Sequence, residues 1–258
     1  MEHRENNVVG LHSALNTNRF LSALDGIDRR ALTPFLNLCH VKAGEVLCDA
    51  HTNPAAIFFP VTTAVSIQYL SIDGMTLGVA EIGREGVICT DVVGNWHTVS
   101  RRIVVYRGGS AYRLDAQRFA DACEDSRPIR RQVFACLQAM LAQIAQTALC
   151  SRHHDVRQQL CRWLLVAHER SQSIEIPVTH GVLAQILGVR RETVSDAAQK
   201  LQKLGLIDQH RGSVVLTDVA SLERIACGCH RQIRMVTQSI PGAEAHAAAS
   251  SPHRLQTV

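Results

Sequence analysis

The sequence predicts an α+β chain in three parts: an antiparallel β-roll or jelly roll, one long helix, and a compact helical domain closed by a hairpin. Three observations carry this. Between about 39 and 115 short β-type runs alternate with turn residues. From Pro128 the apolar period lengthens to that of a helix. Residues 179–216 then hold two helical runs parted by a glycine, followed by two short strands around Arg211-Gly212.

Taken in order, residues 19–24 and 28–32 space their apolar side chains as one or two short helices. The β-type runs are 44–47, 56–60, 64–69, 75–80, 103–106 and 111–114, with Asp73-Gly74 as a hairpin turn. Many short strands of this kind argue for an antiparallel barrel or sandwich. Pro128 suits the first turn of a helix, where its missing N–H has no partner to lose. Beyond it, Val133, Leu137, Met140, Ile144, Thr147 and Ser151 follow steps of four and three. That heptad stripe is the pattern of a parallel helix pair, and it makes Val133, Leu137, Met140 and Ile144 the expected dimer seam. The competing reading is one face of a helix buried within a monomer. A further helix over about 154–170 packs through Val156, Leu160, Trp163, Leu164 and Ala167. Residues 171–173 break it, and 174–177 read as a short strand. After 238 bulky apolar residues become scarce, so 239–258 are expected to form a disordered tail.

The stretch 179–216 is the most informative. Thr179 opens a helix that ends at Gly188, and Arg190 begins a second one with a polar N-terminal half. Ala184 is small where the two helices approach, Gly188 supplies a positive φ for the turn, and Val194 packs back on the first helix. Residues 204–207 end the second helix and start a strand, 210–213 are turn chemistry with Gly212 suited to a two-residue hairpin loop, and 214–216 return as the partner strand. A helix-turn-helix with such a hairpin is a winged helix. Its geometry presents the second helix's first residues to a DNA major groove and its wing to the phosphates.

Composition narrows the alternatives. The 258 residues suffice for two domains and a connector, and the net charge of +4 neither requires nor excludes nucleic acid. No run of about 18 apolar residues is present, so no membrane span is expected, and the polar stretch 1–7 offers no secretory signal. Nine scattered cysteines do not form a secreted disulfide scaffold, which fits a reducing cytoplasm. His51 and His97 are the histidines between 44 and 115, too sparse for a catalytic metal barrel, and no nucleophile triad or phosphate loop is visible. An enzyme is not expected. A protein-only adaptor is the remaining rival.

Barrel, long helix and winged helix in that order resemble the Crp–Fnr superfamily of bacterial transcription regulators. The resemblance is most specific at residues 160–165 and 183–195. It implies a cyclic-nucleotide-binding-like β-roll effector domain over 1–125, a dimerisation helix over 126–152 and a winged helix-turn-helix domain over 153–238. It also implies a cytoplasmic homodimer reading a palindrome in double-stranded DNA, with RNA polymerase as a further partner. By the same resemblance Arg191 and Glu192 read bases, Ser195 assists, and Thr179, Arg190, Thr193, Lys200 and Arg211 meet the DNA backbone. Asp196 departs from the pattern, since many relatives carry arginine there.

The sensor departs further. Relatives that bind cyclic nucleotides use a Gly-Glu pair and an Arg-Ser pair, whereas here Glu85 comes one place late in 83–86 and Arg101 follows Ser100. A one-residue shift on a strand turns a side chain to the other face, so cyclic AMP is not the expected effector. Arg101 and Arg102 then read as solvated surface arginines. Iron–sulfur sensing lacks its N-terminal cysteine cluster. Cys227-Gly228-Cys229-His230 lacks a fourth ligand nearby, so no metal is assigned. The effector and any cofactor stay unknown, and the open alternatives are an effector-independent regulator controlled by abundance or a redox- or haem-responsive one.

Overall fold

A computed structural model describes residues 15–94 and 101–242 of the chain. Two short helices, α1 (Arg19–Ala23) and α2 (Gly26–Leu32), lead into the strands. Asn18 binds α1 to the roll: its Oδ1 accepts from Leu21 N at 3.1 Å while its Nδ2 donates to the carbonyls of Pro60 and Gly86, both at 3.0 Å. That buried amide is fully used, which its burial demands.

The strands are β1 (Asn37–Val41), β2 (Val46–Cys48), β3 (Ala56–Pro60), β4 (Ala64–Leu70), β5 (Thr76–Ile82), β6 (Arg101–Arg107) and β7 (Gly109–Asp115). They form two antiparallel sheets, ordered β1-β7-β3 and β2-β6-β4-β5. The β4–β5 hairpin turns at Gly74, whose φ of 77° lies in the left-handed region that glycine adopts without penalty. Between the sheets lies an apolar core that includes Ile57, Phe59, Val65, Ile103, Val105 and Leu114. Helix α3 (Ala116–Asp125) closes one end, and Phe20, Phe59 and Phe119 meet there with ring centroids 5.5–6.0 Å apart.

Helix α4 (Arg127–His153) runs for 27 residues from the N-cap Ser126, with Pro128 in its first turn. It is long and apolar enough to cross a bilayer, contrary to the expectation that no segment would be. In this fold it lies along the roll, with Gln143 donating to buried Glu81 at 2.6 Å. The heptad stripe also has neighbours within its own chain. Val133 is 1% exposed within its own chain, Leu137 packs on the roll's core, and Met140 lines a small cavity with Ile82, Val87 and Ile240. Ile144 is half-buried. Val133, Leu137 and Met140 face the roll, and the outward apolar side chains of α4 include Phe134 and Leu141, each 59% exposed, Leu149 at 50%, and the exposed Ala145 and Ala148. Over three repeats a 3.5-residue period and a 3.6-residue period cannot be told apart, so a stripe fitting a partner helix fits a sheet equally well.

Helix α5 (Val156–Ser171) opens with a capping box of Asp155 and Gln158. After it come β8 (Glu175–Ile176), α6 (His180–Leu187), α7 (Arg191–Lys203), β9 (Ile207–His210) and β10 (Ser213–Leu216). The three strands form a small sheet ordered β8-β10-β9. Two more helices that the sequence pattern left unassigned, α8 (Val219–Ile225) and α9 (Cys229–Gln238), finish the domain. Their shortness and polarity hid them, and α9 packs on α4 and α5. The expected tail from 239 begins inside ordered structure. Ile240 is buried and the Pro241 carbonyl accepts from Gln132 Nε2 at 3.1 Å, while residues 243–258 lie outside the described part.

Roll and helical domain share apolar contacts. Tyr106 of β6 meets Trp163 of α5 edge to face at 5.3 Å, and both join the core of the helical domain. At β5, Gly78 leaves room for Ile186 of α6, because a Cβ there would lie about 3.0 Å from the Ile186 backbone.

Candidate functional site

The motif is built as its spacing requires. Thr179 caps α6 by accepting from Val182 N at 3.2 Å. Gly188 ends α6 with φ 65° and ψ 33°, a left-handed conformation that strains any other L-residue by about 1–2 kcal/mol. Ala184 and Val194 are buried between the helices. Arg190 is the N-cap of α7 and is exposed; its donor-only guanidinium cannot cap the helix N–H groups. Arg191, Glu192, Thr193, Asp196, Gln199 and Lys200 form the exposed face of α7, opposite buried Val194, Ala197, Ala198 and Leu201. Glu192 sits in the first turn, where the helix dipole favours its charge. Among the described residues, none of Arg190, Arg191, Glu192, Lys200 and Arg211 is committed to an ion pair.

Ser195 is differently placed from the others. It is half-buried, and its Oγ donates to the Arg191 carbonyl at 3.0 Å while His180 Nδ1 lies 2.9 Å away. If Oγ spends its proton on the carbonyl, Nδ1–H is the donor in the second bond. His180, which the sequence reading passed over, therefore ties the start of α6 to the first turn of α7. The wing turns at Arg211-Gly212, with Gly212 at φ 89° and Arg211 exposed at the tip. Its base is held by Ser213 Oγ donating to Glu175 Oε1 at 2.8 Å.

Comparison with known proteins agrees with this geometry. Residues 158–225 match the family described as the Crp-like helix-turn-helix domain. The chain resembles Crp-like helix-turn-helix proteins over those residues alone. Its fold is that of a crp/fnr-family transcriptional regulator from Eubacterium rectale, 16% identical, with 79% of this chain and 95% of that one covered at a TM-score of 0.62. The c-di-GMP responsive global regulator CLP of Xanthomonas campestris is 16% identical over 75% of this chain and 100% of its own, with a TM-score of 0.63. FixK2 of Bradyrhizobium japonicum gives 16%, 74%, 98% and 0.63. A search of curated proteins by sequence finds no match.

The corner between β5, α4 and α5 is filled by the chain's own charges. Arg170, 9% exposed, comes from α5, with its Nε 2.7 Å from Glu85 Oε1 and its Nη2 donating to Gln143 Oε1 at 3.1 Å. Glu81 Oε2 lies 3.8 Å from Arg170 Nη1. The Gly83 N–H donates to Glu85 at 2.9 Å. Burial pushes the Glu85 carboxyl up, but the Arg170 guanidinium together with the backbone N–H of Gly83 holds the group below the ordinary carboxylate range. The cavity beside this cluster measures about 30 Å³, which holds a water and not a nucleotide. Glu85 is thus spent on an internal partner.

The two arginines of β6 differ from expectation as well. Arg101 is buried and paired with Asp91, and Arg102 makes a two-point contact with Asp49 at 2.7 and 3.2 Å. Neither is a free solvated arginine, since each has an acid within reach across the roll. His97, Val99 and Ser100 lie outside the described residues. The Cys227-Gly228-Cys229-His230 run gains neighbours the sequence did not show: Cys150 and His154 from the end of α4. Their i, i+4 spacing on one helix was the available signal. His230 itself turns away, its Nε2 2.9 Å from Glu169 Oε1.

Proposed function

We propose that this regulator works as a homodimer reading a palindromic site, with a roll whose effector is not cyclic AMP. The observation carrying the reading is the exposed, unpaired first turn of α7. Arg191 stands there as the base-reading donor, able to give two parallel hydrogen bonds to guanine O6 and N7, and Glu192 beside it accepts from a cytosine amino group. Ser195, committed within its own chain, supports these two by holding the turn with His180. Arg190, Thr193, Lys200 and the wing's Arg211 meet phosphates, and Thr179 keeps its hydroxyl proton for one while its oxygen caps α6. The partner helix lies on the outward face of α4 through Phe134, Leu141, Ala145 and Ala148.

Two features argue against cyclic AMP: the cavity has no room for a nucleotide, and Arg170 already occupies the Glu85 carboxylate. Control by abundance, without a ligand, accords with the same two features. The test is selection from a random duplex pool with purified full-length protein and no added ligand. A palindrome with half-sites one duplex turn apart is expected. Enrichment of single, unpaired half-sites would refute the dimeric reading, and retention of DNA regardless of sequence would refute base reading.

A further inference from the structure

Three cysteines and a histidine, distant in sequence, meet where α4 ends. Cys150 lies in the last turn of α4, His154 is its C-cap, and Cys227 and Cys229 flank the start of α9. Their ligand atoms all lie within 4.8 Å of one another. Cys150 Sγ is 3.5 Å from Cys227 Sγ, and Cys229 Sγ is 3.5 Å from His154 Nδ1. A tetrahedral zinc ion with bonds of about 2.3 Å to sulfur and about 2.0 Å to nitrogen has ligand–ligand edges of roughly 3.5–3.8 Å. The two separations are edges of that size.

Ordinary core packing does not account for the group. Cys150, Cys227 and Cys229 form a buried cluster of their own, separate from the apolar cores of the roll and of the helical domain. His154 is half-buried, which leaves a way in for an ion. A neighbouring trio, Glu169, Glu223 and His230, is already neutralised by Arg234, which reaches Glu169 at 3.4 Å and Glu223 at 3.5 Å.

We propose that Cys150, His154, Cys227 and Cys229 form a Cys3His site for a thiophilic divalent metal, Zn2+ by ligand softness and geometry. On binding, four bonds form to the metal, the cysteine thiol protons leave to solvent and no electron is transferred. The ion joins two segments that the chain otherwise connects only through the whole reading domain. His154 lies where α4 hands over to α5, so the bound metal fixes the angle at which that domain leaves the long helix. This control of DNA binding rests on the proposed function, whereas the site itself does not.

The test uses reduced, metal-free, full-length protein and Co2+ alone as the probe. One Co2+ per chain is expected, with the intense visible absorption of tetrahedral thiolate ligation. Cys227→Ser and His154→Ala weaken binding at least about tenfold, whereas His230→Ala binds as the parent does. Failure of the parent to take up stoichiometric Co2+ or Zn2+, or unchanged uptake by Cys227→Ser, overturns the site. Because replacing a buried cysteine can also loosen the helix end, thiol alkylation of the unmutated chain supplies a second readout. Zn2+ should protect Cys150, Cys227 and Cys229 and leave half-buried Cys39 unaffected, and equal labelling with and without metal overturns the proposal. DNA affinity is then compared with and without Zn2+. A change under twofold removes the control while the site stands, and absence of DNA binding in both states counts against the DNA reading alone.

Discussion

Arg191 and Lys200 are both exposed cations on one face of α7, yet they stand at opposite ends of it. In the proposed function the first lies at the helix start, on the side of the bases, and the second lies in the last turns, on the side of the backbone. Arg191→Ala should therefore cost about 1–3 kcal/mol on the selected site and little on random duplex. Lys200→Ala should weaken both alike and reduce the salt slope by about one. Fluorescence titrations on both duplexes at several salt concentrations decide this, and equal losses for Arg191→Ala on both would remove it as a base reader. Both residues were legible from the sequence because the motif's spacing fixes which side chains point outward. Ser195 was legible as a position and not as a geometry, because nothing in one dimension brings His180 Nδ1 against its hydroxyl. The same holds for Arg101 and Arg102, whose acids stand ten and 53 residues away, at Asp91 and Asp49.

At the scale of elements, α4 separates two readings of one stripe. Val133→Ala removes apolar volume from the roll's core and should lower stability by about 2 kcal/mol with no change in subunit assembly. Leu141→Arg places a charge on the outward face and should convert a dimer to monomers while leaving the melting temperature of the roll within a few degrees. Sedimentation and calorimetry on the two variants read both quantities. Assembly lost in Val133→Ala and kept in Leu141→Arg would restore the seam inferred from the heptad. The helix itself was readable from Pro128 and its period, but which face meets which neighbour depends on the roll, whose position no local pattern encodes. The turn between α6 and α7 is the opposite case. Gly188 was readable as a left-handed position from the motif alone, and Gly188→Ala should cost at least about 1–2 kcal/mol. Unfolding midpoints in denaturant measure that cost, and a neutral result would show that the turn relaxes.

For the whole molecule, Arg170 decides how the parts are held together, since its guanidinium reaches the roll and the long helix from the reading domain. Arg170→Ala leaves Glu85 and Glu81 buried without their cation, a loss of about 3–5 kcal/mol at neutral pH. The pH dependence follows from the sign of the Glu85 shift. With its pKa held down, Glu85 contributes stability above the ordinary carboxylate value of about 4.3, which disappears as pH falls through the lower folded value. In Arg170→Ala burial is opposed only by backbone hydrogen bonds such as that from Gly83, the Glu85 pKa rises, and part of the lost stability should return on acidification. Denaturant unfolding of both proteins across that range tests this, and a deficit that stays constant with pH would mean Arg170 does not govern Glu85. The seating of α6 on β5 has a consequence of another kind. Gly78 admits the Ile186 backbone, and a Cβ on Gly188 would come within 2.9 Å of Leu77 Cδ1. The glycine that shapes the turn also gives the roll its foothold, so neither half can be exchanged freely. A chimera that grafts a foreign reading domain after residue 172 would dock only if its turn and the β5 hairpin were exchanged as a matched pair.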